Sequence, residues 1–256
     1  MSYWDDIAEE YQGALRISTD DFHYGPLLPG DRQFRLLPPQ LSGLNCLELG
    51  CGGGQNSIFL ARQGARCTAV DGASAQLNYA AELAHKHGAS LRFVHADLDQ
   101  PLPFAGEKFN LIHSSYTLPF LKNPAALIRW CATALNPGGI LLISTAHPLA
   151  HAEWYTMEDD AAGIVLRDYF HPPVDEREEN GHAVTDRPLP VSTLCEMLAD
   201  AGFAITRLLE PQPAPLHQMT PEEIRENVPY DGDCWRPCRE DMALIPRFII
   251  IKASRL

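Results

Sequence analysis

The sequence predicts a doubly wound α/β fold, and three observations between residues 45 and 145 support this prediction. Short, mostly apolar segments alternate with longer segments in which apolar residues recur at helical spacing. The short segments lack a polar face, which is typical of strands in a parallel sheet that helices cover on both sides. A cluster of four glycines at residues 50–54 directly follows the first of them. A turn of this kind, after the first strand, is where such sheets bind their ligands.

Local signals give the elements of this core in order. We predict strands at 45–49, 66–70, 90–95, 109–113 and 140–145. We predict helices at 55–63, 74–87 and 124–135. Gly64 and Gly88 end the first two helices, because a glycine readily takes the left-handed conformation of a C-cap. Ser74 is expected to cap the second helix, and Asn123 followed by Pro124 begins the third.

The remainder of the chain is less regular. No clear period is present in 147–187, whereas 191–201 is predicted as a helix and 203–209 and 247–252 as strands. We interpret 1–256 as one domain composed of a cap arm (1–29), a cofactor-binding core (30–146), a substrate-cap insert (147–187) and a closing segment (188–256). The arm and the insert combine aromatic residues with irregular sequence, which predicts that both close over a ligand as mobile lids do.

Composition and charge exclude several classes of protein. The chain has 256 residues, of which 45% are hydrophobic, so it can form a large core and is not globally disordered. Its net charge of −13 disfavours a nucleic acid as partner, because phosphate-backbone binding depends on cationic side chains. The sequence has no apolar run long enough for a transmembrane helix and no signal-peptide pattern, so we expect no membrane partner and a cytoplasmic protein. The sequence does not distinguish between a monomer and a homodimer.

The cysteines give no sign of a disulfide framework or a metal site. All seven are scattered along the chain, which favours reduced thiols. Cys234 and Cys238 have the wrong spacing for a common zinc knuckle, and no second pair follows them. We therefore predict no metal.

The segment Glu48–Gly54 carries the strongest functional signal, because it joins the first strand to the first helix. Its glycines let the backbone turn sharply and approach a ligand without a Cβ in the way. A dinucleotide fingerprint would need a glycine at Gln55, which disfavours an NAD(P)-dependent oxidoreductase but leaves it open. Asp71 ends the second strand and is suited to accept ribose hydroxyls. Asp97 follows the third strand and could accept from an exocyclic amine, so the three acids predict one shared site.

These motifs resemble those of the class I S-adenosylmethionine-dependent methyltransferases, over residues 45–146 and more weakly beyond. Glu48-x-Gly50-x-Gly52-x-Gly54 is similar to the family's first motif, and Leu135–Gly139 to the turn before its fifth strand. The opening Tyr3–Tyr11 is similar to the N-terminal helix that caps the cofactor in small-molecule members. The resemblance implies a Rossmann-like, seven-stranded, mostly parallel sheet with strand order 3-2-1-4-5-7-6 and an antiparallel last strand. It also implies the cofactor S-adenosyl-L-methionine.

By this resemblance, the cofactor-binding residues belong to the N-terminal helix and to the ends of the first four strands. They are Tyr11, Glu48, Gly50, Cys51, Gly52, Asn56, Asp71, Gly72, Asp97, Leu98 and Ser114. The implied reaction is in-line displacement at the methyl carbon by a small-molecule acceptor. Oxygen is the first choice for the accepting atom, followed by nitrogen or carbon. A noncatalytic cofactor-binding or regulatory protein of the same fold stays open as an alternative.

The acceptor is expected beyond the fourth and fifth strands. Tyr116 and His147 are the candidate catalytic residues. His147 is the first choice as general base, since histidine titrates near neutral pH, and Tyr116 and His23 are the next choices. The residues expected to contact the acceptor are His23, Tyr24, Tyr116, His147, Trp154 and Tyr169. A structural role is the alternative for each of them.

Overall fold

A seven-stranded sheet forms the centre of the computed structural model, which describes residues 2–156, 162–166, 168–179, 181–238 and 244–256. The helices of the described residues are α1 (Tyr3–Asp6), α2 (Ala8–Ala14), α3 (Asp31–Phe34), α4 (Gln55–Arg62), α5 (Ser74–Lys86), α6 (Pro124–Ala134), α7 (Val191–Asp200) and α8 (Pro221–Asn227). The strands are β1 (Leu15–Ile17), β2 (Asn45–Leu49), β3 (Arg66–Asp71), β4 (Leu91–His95), β5 (Phe109–Ser115), β6 (Leu135–Ala146), β7 (Glu153–Thr156), β8 (Ala162–Val165), β9 (Asp175–Glu179), β10 (His182–Asp186), β11 (Phe203–Leu209), β12 (Tyr230–Gly232) and β13 (Phe248–Arg255).

The strand order across the sheet is β4-β3-β2-β5-β6-β13-β11. The first five strands of this order are parallel, and β13 is antiparallel to both β6 and β11. The predicted order 3-2-1-4-5-7-6 and the doubly wound fold are therefore confirmed. Because the five strands are parallel, their carboxyl ends meet at one edge of the sheet, where ligands of such folds bind.

Two apolar clusters cover the two faces of the sheet. Helices α6 and α7 pack on one face through residues such as Leu127 and Leu194. The other face is covered by α4 and by the chain that precedes the first sheet strand, including Phe22 and Leu28. Residues 21–30 are all buried. The second part of the predicted cap arm (1–29) therefore belongs to the core, because its side chains are the apolar layer over this face.

The first part of the arm forms α1 and α2, which pack on α5. Asp5 Oδ1 accepts hydrogen bonds from the Ser74 hydroxyl (3.1 Å) and the Ala75 N–H (3.0 Å). Burial alone would raise the pKa of Asp5, but these and other hydrogen bonds lower it. The expectation that Ser74 caps α5 is wrong, since Ala73 is the N-cap and Ser74 the first helical residue. Asp5 supplies the capping oxygen across a tertiary contact instead.

The insert contains two antiparallel hairpins, β7–β8 and β9–β10. The strand Asp175–Glu179 is charged on both faces, which is why no period marks it in the sequence. The insert meets the arm, because His182 Nε2 lies 2.6 Å from Asp6 Oδ2 and the Tyr3 hydroxyl donates to Glu179. None of the helices in the described part of the chain has both the length and the hydropathy that a bilayer-spanning helix needs.

Candidate functional site

The glycine-rich loop after β2 has the tight, left-handed backbone that its sequence predicts. The φ angles of Gly50, Gly52 and Gly54 are +68°, +50° and +71°. A Cβ on Gly50 would lie 2.2 Å from Thr117 Oγ1, so the loop packs directly on the segment after β5. A Cβ on Gly52 would meet no atom closer than 3.8 Å. The Gly52 backbone therefore has open space beside it.

Asp71, at the end of β3, holds this loop in place. Its Oδ2 accepts a hydrogen bond from the Gly52 N–H (2.8 Å), and its Oδ1 accepts from the Ala73 N–H (2.9 Å). Burial raises the pKa of Asp71. Each carboxylate oxygen can accept more than one hydrogen bond, so both remain available to ribose hydroxyls. Next to it, a Cβ on Gly72 would meet only the Ala96 carbonyl at 3.8 Å, which leaves this side of the crevice open.

Glu48 forms a buried pair with His113, a residue that the sequence did not single out. The two are register neighbours on β2 and β5, and Glu48 Oε1 lies 3.8 Å from His113 Nδ1. The Ser57 N–H donates to Glu48 Oε2 (3.0 Å). Burial raises the pKa of Glu48 to about 8 and lowers the pKa of His113 to about 3. Both side chains are therefore mainly neutral at pH 7.

The third acid, Asp97, lies on the surface beyond β4. Its Oδ1 accepts a hydrogen bond from the Asp99 N–H (2.9 Å), which leaves Oδ2 for a ligand. Asp99 in turn accepts from the Lys122 N–H (2.9 Å) and the Asn123 N–H (3.1 Å). Leu98, between the two acids, is half-buried and packs against the core. The loop after β4 is thus fixed to the start of α6 with Asp97 exposed.

Three buried glutamines connect α2 to the glycine-rich loop. Gln55 Nε2 donates to Gln12 Oε1 (2.8 Å), and Gln12 Nε2 donates to Gln76 Oε1 (2.9 Å). A Cβ on Gly53 would lie 2.6 Å from Gln55 Nε2, so this amide chain lies directly against the loop. The sequence contained one indication of these glutamine contacts, which is that Gln55 occupies the position where a dinucleotide-binding fold has a glycine. These hydrogen bonds hold α2, which carries the neighbouring Tyr11, against the glycine-rich loop.

Asn56 binds the buried arm in this structure. Its Oδ1 accepts from the His23 N–H (2.8 Å), and its Nδ2 donates to the His23 carbonyl (3.0 Å). His23 Nδ1 is buried and has no hydrogen-bond partner among the described residues, and burial lowers the pKa of His23 to about 4. Tyr24 lies in the core, where its hydroxyl donates to Asp31 Oδ1 (2.6 Å). The expected contact of Tyr24 with the acceptor therefore has no support from the structure.

An aromatic wall stands at the carboxyl ends of β5 and β6. We define it as Trp4, Tyr11, Tyr116, Phe120, Tyr230 and Phe248. The Tyr116 ring lies 5.9 Å from Phe248 and 6.5 Å from Phe120, which lies 5.4 Å from Trp4. The Tyr11 and Tyr230 hydroxyls are 2.6 Å apart, and the Tyr230 ring is 5.3 Å from His23. Four separate parts of the chain thus bring their aromatic rings together beside the glycine-rich loop.

Tyr116 and His147, the two candidate catalytic residues, differ in whether their side chains are free to contact a ligand at this wall. Tyr116 has a φ of +64°, and 38% of its surface is exposed. Burial of the hydroxyl raises the pKa of Tyr116 to about 12. His147 is buried, its Nδ1 accepts from the Leu149 N–H (3.1 Å), and its Nε2 lies 2.9 Å from Glu210 Oε1. Both ring nitrogens of His147 are thus occupied, so the prediction that it acts as a base has no support from this geometry.

The remaining predicted residues lie in two places. The Ser114 hydroxyl donates to the Leu49 carbonyl (3.0 Å), and Cys51 is buried with its N–H bonded to the Val70 carbonyl (2.9 Å). Trp154 pairs with Ile164 in the β7–β8 hairpin, and its side chain lies outside the described part of the chain. Tyr169 packs edge-on against Phe170, 5.4 Å away in the insert. Within the described residues, no group of three or more His, Cys, Asp or Glu side chains could hold a metal ion.

A cavity of about 370 Å³ lies at the other end of α4 and is separate from this site. Its lining includes Arg32, Arg62 and Asp20. Arg62 Nη1 lies 2.8 Å from Asp20 Oδ1, and Arg32 Nη2 donates to the Asp20 carbonyl (2.9 Å). These contacts join the arm to α3 and α4, away from the carboxyl ends of the strands.

Comparisons with known proteins agree with this architecture. A family described as a methyltransferase domain matches residues 23–208. The crystal structure of an S-adenosylmethionine-dependent methyltransferase from Mesorhizobium loti has a TM-score of 0.65 and is 25% identical, covering 87% of this chain and 95% of that one. A Listeria monocytogenes protein described in the same terms has a TM-score of 0.70 and is 22% identical, covering 87% of this chain and 94% of that one.

A named relative matches over a shorter stretch. The ubiquinone biosynthesis O-methyltransferase of Caulobacter vibrioides is 32% identical over 103 residues, which cover 40% of this chain and 41% of that protein. The match thus spans less than half of the relative's length. The family match, which covers most of the chain, agrees with the fold, the glycine-rich loop and the acids at the strand ends. The chain therefore belongs to the S-adenosylmethionine-dependent methyltransferases.

Proposed function

We propose that this protein transfers the methyl group of S-adenosyl-L-methionine to a hydroxyl oxygen of a small aromatic acceptor. The observation that carries this proposal is the position of the aromatic wall directly beside the glycine-rich loop. Aromatic side chains favour offset-stacked or edge-to-face contact with another ring, so the wall suits an aromatic acceptor. The name of the Caulobacter vibrioides relative supports oxygen as the accepting atom.

The residues at the glycine-rich loop fit the proposed cofactor. Open backbone at Gly52 and Gly72 leaves room beside the Asp71 carboxylate, which can accept ribose hydroxyls. Asp97 keeps one carboxylate oxygen for the adenine amine. When bound, S-adenosylmethionine supplies a methyl group on a positively charged sulfur, which suits a protein of net charge −13. No pyrophosphate has to be accommodated, so the glutamine at position 55 is compatible with this ligand.

The chain's own residues hold the acceptor and shield it from water. Tyr116 and Phe120 provide a surface for the ring of the acceptor, while Trp4 and Tyr11 close the same space from the arm. Holding two reactants in line can lower the activation free energy of the reaction by up to about 7–11 kcal/mol. Tyr116 keeps its proton at neutral pH because its pKa is about 12, so it can donate a hydrogen bond but not act as a base.

We infer that His23, and not His147, takes the proton of the acceptor hydroxyl. His23 is neutral at pH 7, its Nδ1 has no hydrogen-bond partner among the described residues, and its ring contacts Tyr230 of the aromatic wall. Asn56 fixes the backbone on both sides of the ring. A positioned base typically contributes about 10²–10⁴-fold to a rate.

The proposal is tested by binding and turnover. Calorimetry should show binding of S-adenosylmethionine and none of NAD. Incubation with a panel of phenols should yield S-adenosylhomocysteine together with a methyl ether. Binding of NAD instead would favour the oxidoreductase, whereas cofactor binding without turnover on any phenol, amine or carbon acid would favour a noncatalytic protein. The cytoplasmic location, the absence of a nucleic-acid partner and the choice between monomer and homodimer stay predictions from the sequence.

A further inference from the structure

Arg247 lies on the acceptor side of the candidate site, directly before β13. Its carbonyl accepts a hydrogen bond from the His147 N–H (3.0 Å), and the next residue, Phe248, pairs with Ala146 at the end of β6. Phe248 belongs to the aromatic wall, where its ring lies 5.9 Å from Tyr116. Backbone pairing thus places the origin of this arginine side chain beside the apolar space proposed for the acceptor.

The side chain of Arg247 is partly shielded from solvent. Its Nη1 is buried and has no hydrogen-bond partner among the described residues. A buried, charged donor without a partner costs free energy, so this atom needs an explanation, and a ligand that completes its hydrogen bonds is one. The charge of Arg177 also acts on Tyr116. Unlike Arg247, however, Arg177 already forms ion pairs, with Asp175 and Glu179.

We propose that Arg247 binds a carboxylate group of the acceptor, an inference that rests on the proposed function. A guanidinium matches the planar geometry of a carboxylate and can donate two parallel hydrogen bonds to it. The acceptor would then be an aromatic hydroxy acid, with its ring on the aromatic wall, its carboxylate on Arg247 and its hydroxyl turned toward the methyl group.

The neighbouring charges favour a carboxylate over a phosphate. The charge of Asp186 acts on Tyr116, and Glu210 Oε1 lies 2.9 Å from His147, which is bonded to the Arg247 backbone. A phosphate group carries nearly two negative charges at neutral pH and would be repelled more strongly by these acids than a singly charged carboxylate. We therefore expect a monoanion to bind at Arg247 more readily than a dianion.

The test compares acids with neutral ligands of the same shape. The substrates are ortho-, meta- and para-hydroxybenzoate and the corresponding hydroxybenzamides, assayed for methyl transfer with the wild type, R247Q and R247K. Arg129, exposed on α6, provides the matched control R129Q, which removes one positive charge elsewhere. We expect the wild type to prefer at least one acid over its amide by about 10- to 100-fold in kcat/KM, mainly through KM. R247Q should abolish this preference, R247K should retain part of it, and R129Q should leave it unchanged.

A second measurement separates this inference from the proposed function. Binding of benzoate and benzamide to the wild type and R247Q is measured by calorimetry in the presence of S-adenosylhomocysteine. Benzoate binding that R247Q loses would support the carboxylate site even if no phenol were methylated. Equal kcat/KM values for acids and amides would overturn it while leaving O-methyl transfer intact. If R247Q does not fold, the inference is tested by comparing acids with amides in the wild type and R247K. It then requires a preference for acids in the wild type that is weaker in R247K.

Discussion

Replacing Glu48 by glutamine should stabilise the free protein and change how its stability depends on pH. Burial raises the pKa of Glu48 from its ordinary value of 4.5 to about 8. Between these values the folded state binds a proton that the unfolded state has released, so stability falls as the pH rises. Each pH unit corresponds to about 1.4 kcal/mol. Glutamine is a neutral substitute of the same shape, and its oxygen can still accept from the Ser57 N–H.

His113 has the opposite effect on the pH dependence of stability, and it acts at lower pH. Burial lowers its pKa from 6.5 to about 3, so the unfolded state binds more protons between these values and stability rises with pH. His23, with a pKa of about 4, adds to this rise. Below pH 6.5 the two histidines outweigh Glu48, because the unfolded state binds two protons there for the one that Glu48 binds in the folded state. Above pH 6.5 the unfolded histidines lose their protons, and the effect of Glu48 becomes the larger one. Between pH 6.5 and 8, Glu48 should lower the unfolding free energy by about 1.7 kcal/mol, and the remaining titration of the two histidines in the unfolded state should raise it by about 0.8 kcal/mol. The wild type should therefore lose about 1 kcal/mol over this range.

The assay is urea denaturation of the cofactor-free protein at pH 6.5 and pH 8. The wild type should be less stable at pH 8 by about 1 kcal/mol, whereas E48Q should be more stable at pH 8 by a similar amount, because only the histidines then contribute. The exposed pair partner Glu107, at the surface beside Arg92, provides the control E107Q, which should retain the pH dependence of the wild type. If E48Q and the wild type lose the same free energy between pH 6.5 and 8, Glu48 is ionised in the folded protein and the reasoning fails.

Three further predictions concern the site. Asp71→Ala should weaken binding of S-adenosylmethionine by about 1–3 kcal/mol in calorimetry, through loss of charge-assisted hydrogen bonds, and an unchanged Kd in a folded variant would remove Asp71 from the site. Gln12→Ala should speed amide hydrogen exchange in α1 and α2, because it breaks the buried amide chain, whereas the exposed Glu10→Ala should not; equal exchange would show that the chain does not hold the arm. His23→Ala should lower the single-turnover rate by about 10²–10⁴-fold, and His147→Ala should leave it within a few-fold. The wild-type rate should be flat above about pH 5 and fall as the pH drops through about 4, since His23 must be neutral to accept a proton; the opposite order of the two variants would restore His147 as the base.

The sequence by itself determined the sheet and the position of its ligand site. Strand patterns, the Asn123 helix cap and the glycines after β2 are signals between residues close in the chain, and these produced the expected local structure. Once the parallel order followed from the family resemblance, the acids Glu48, Asp71 and Asp97 had to lie near one edge. Local chemistry was sufficient here because topology alone brings the strand ends together.

Only the tertiary structure decided which side chains are available at that edge. The glutamine chain joins positions 12, 55 and 76, and the Glu48–His113 pair joins two strands that are far apart in sequence. The sequence shows that the arm contains aromatic residues, but it does not show that residues 21–30 form a core layer against the sheet. It marks His147 as reactive, but not that Leu149 and Glu210 occupy both its nitrogens. The same side chain can be a base, a cap or a core residue, and its partners, which folding brings from distant positions, determine which of these it is.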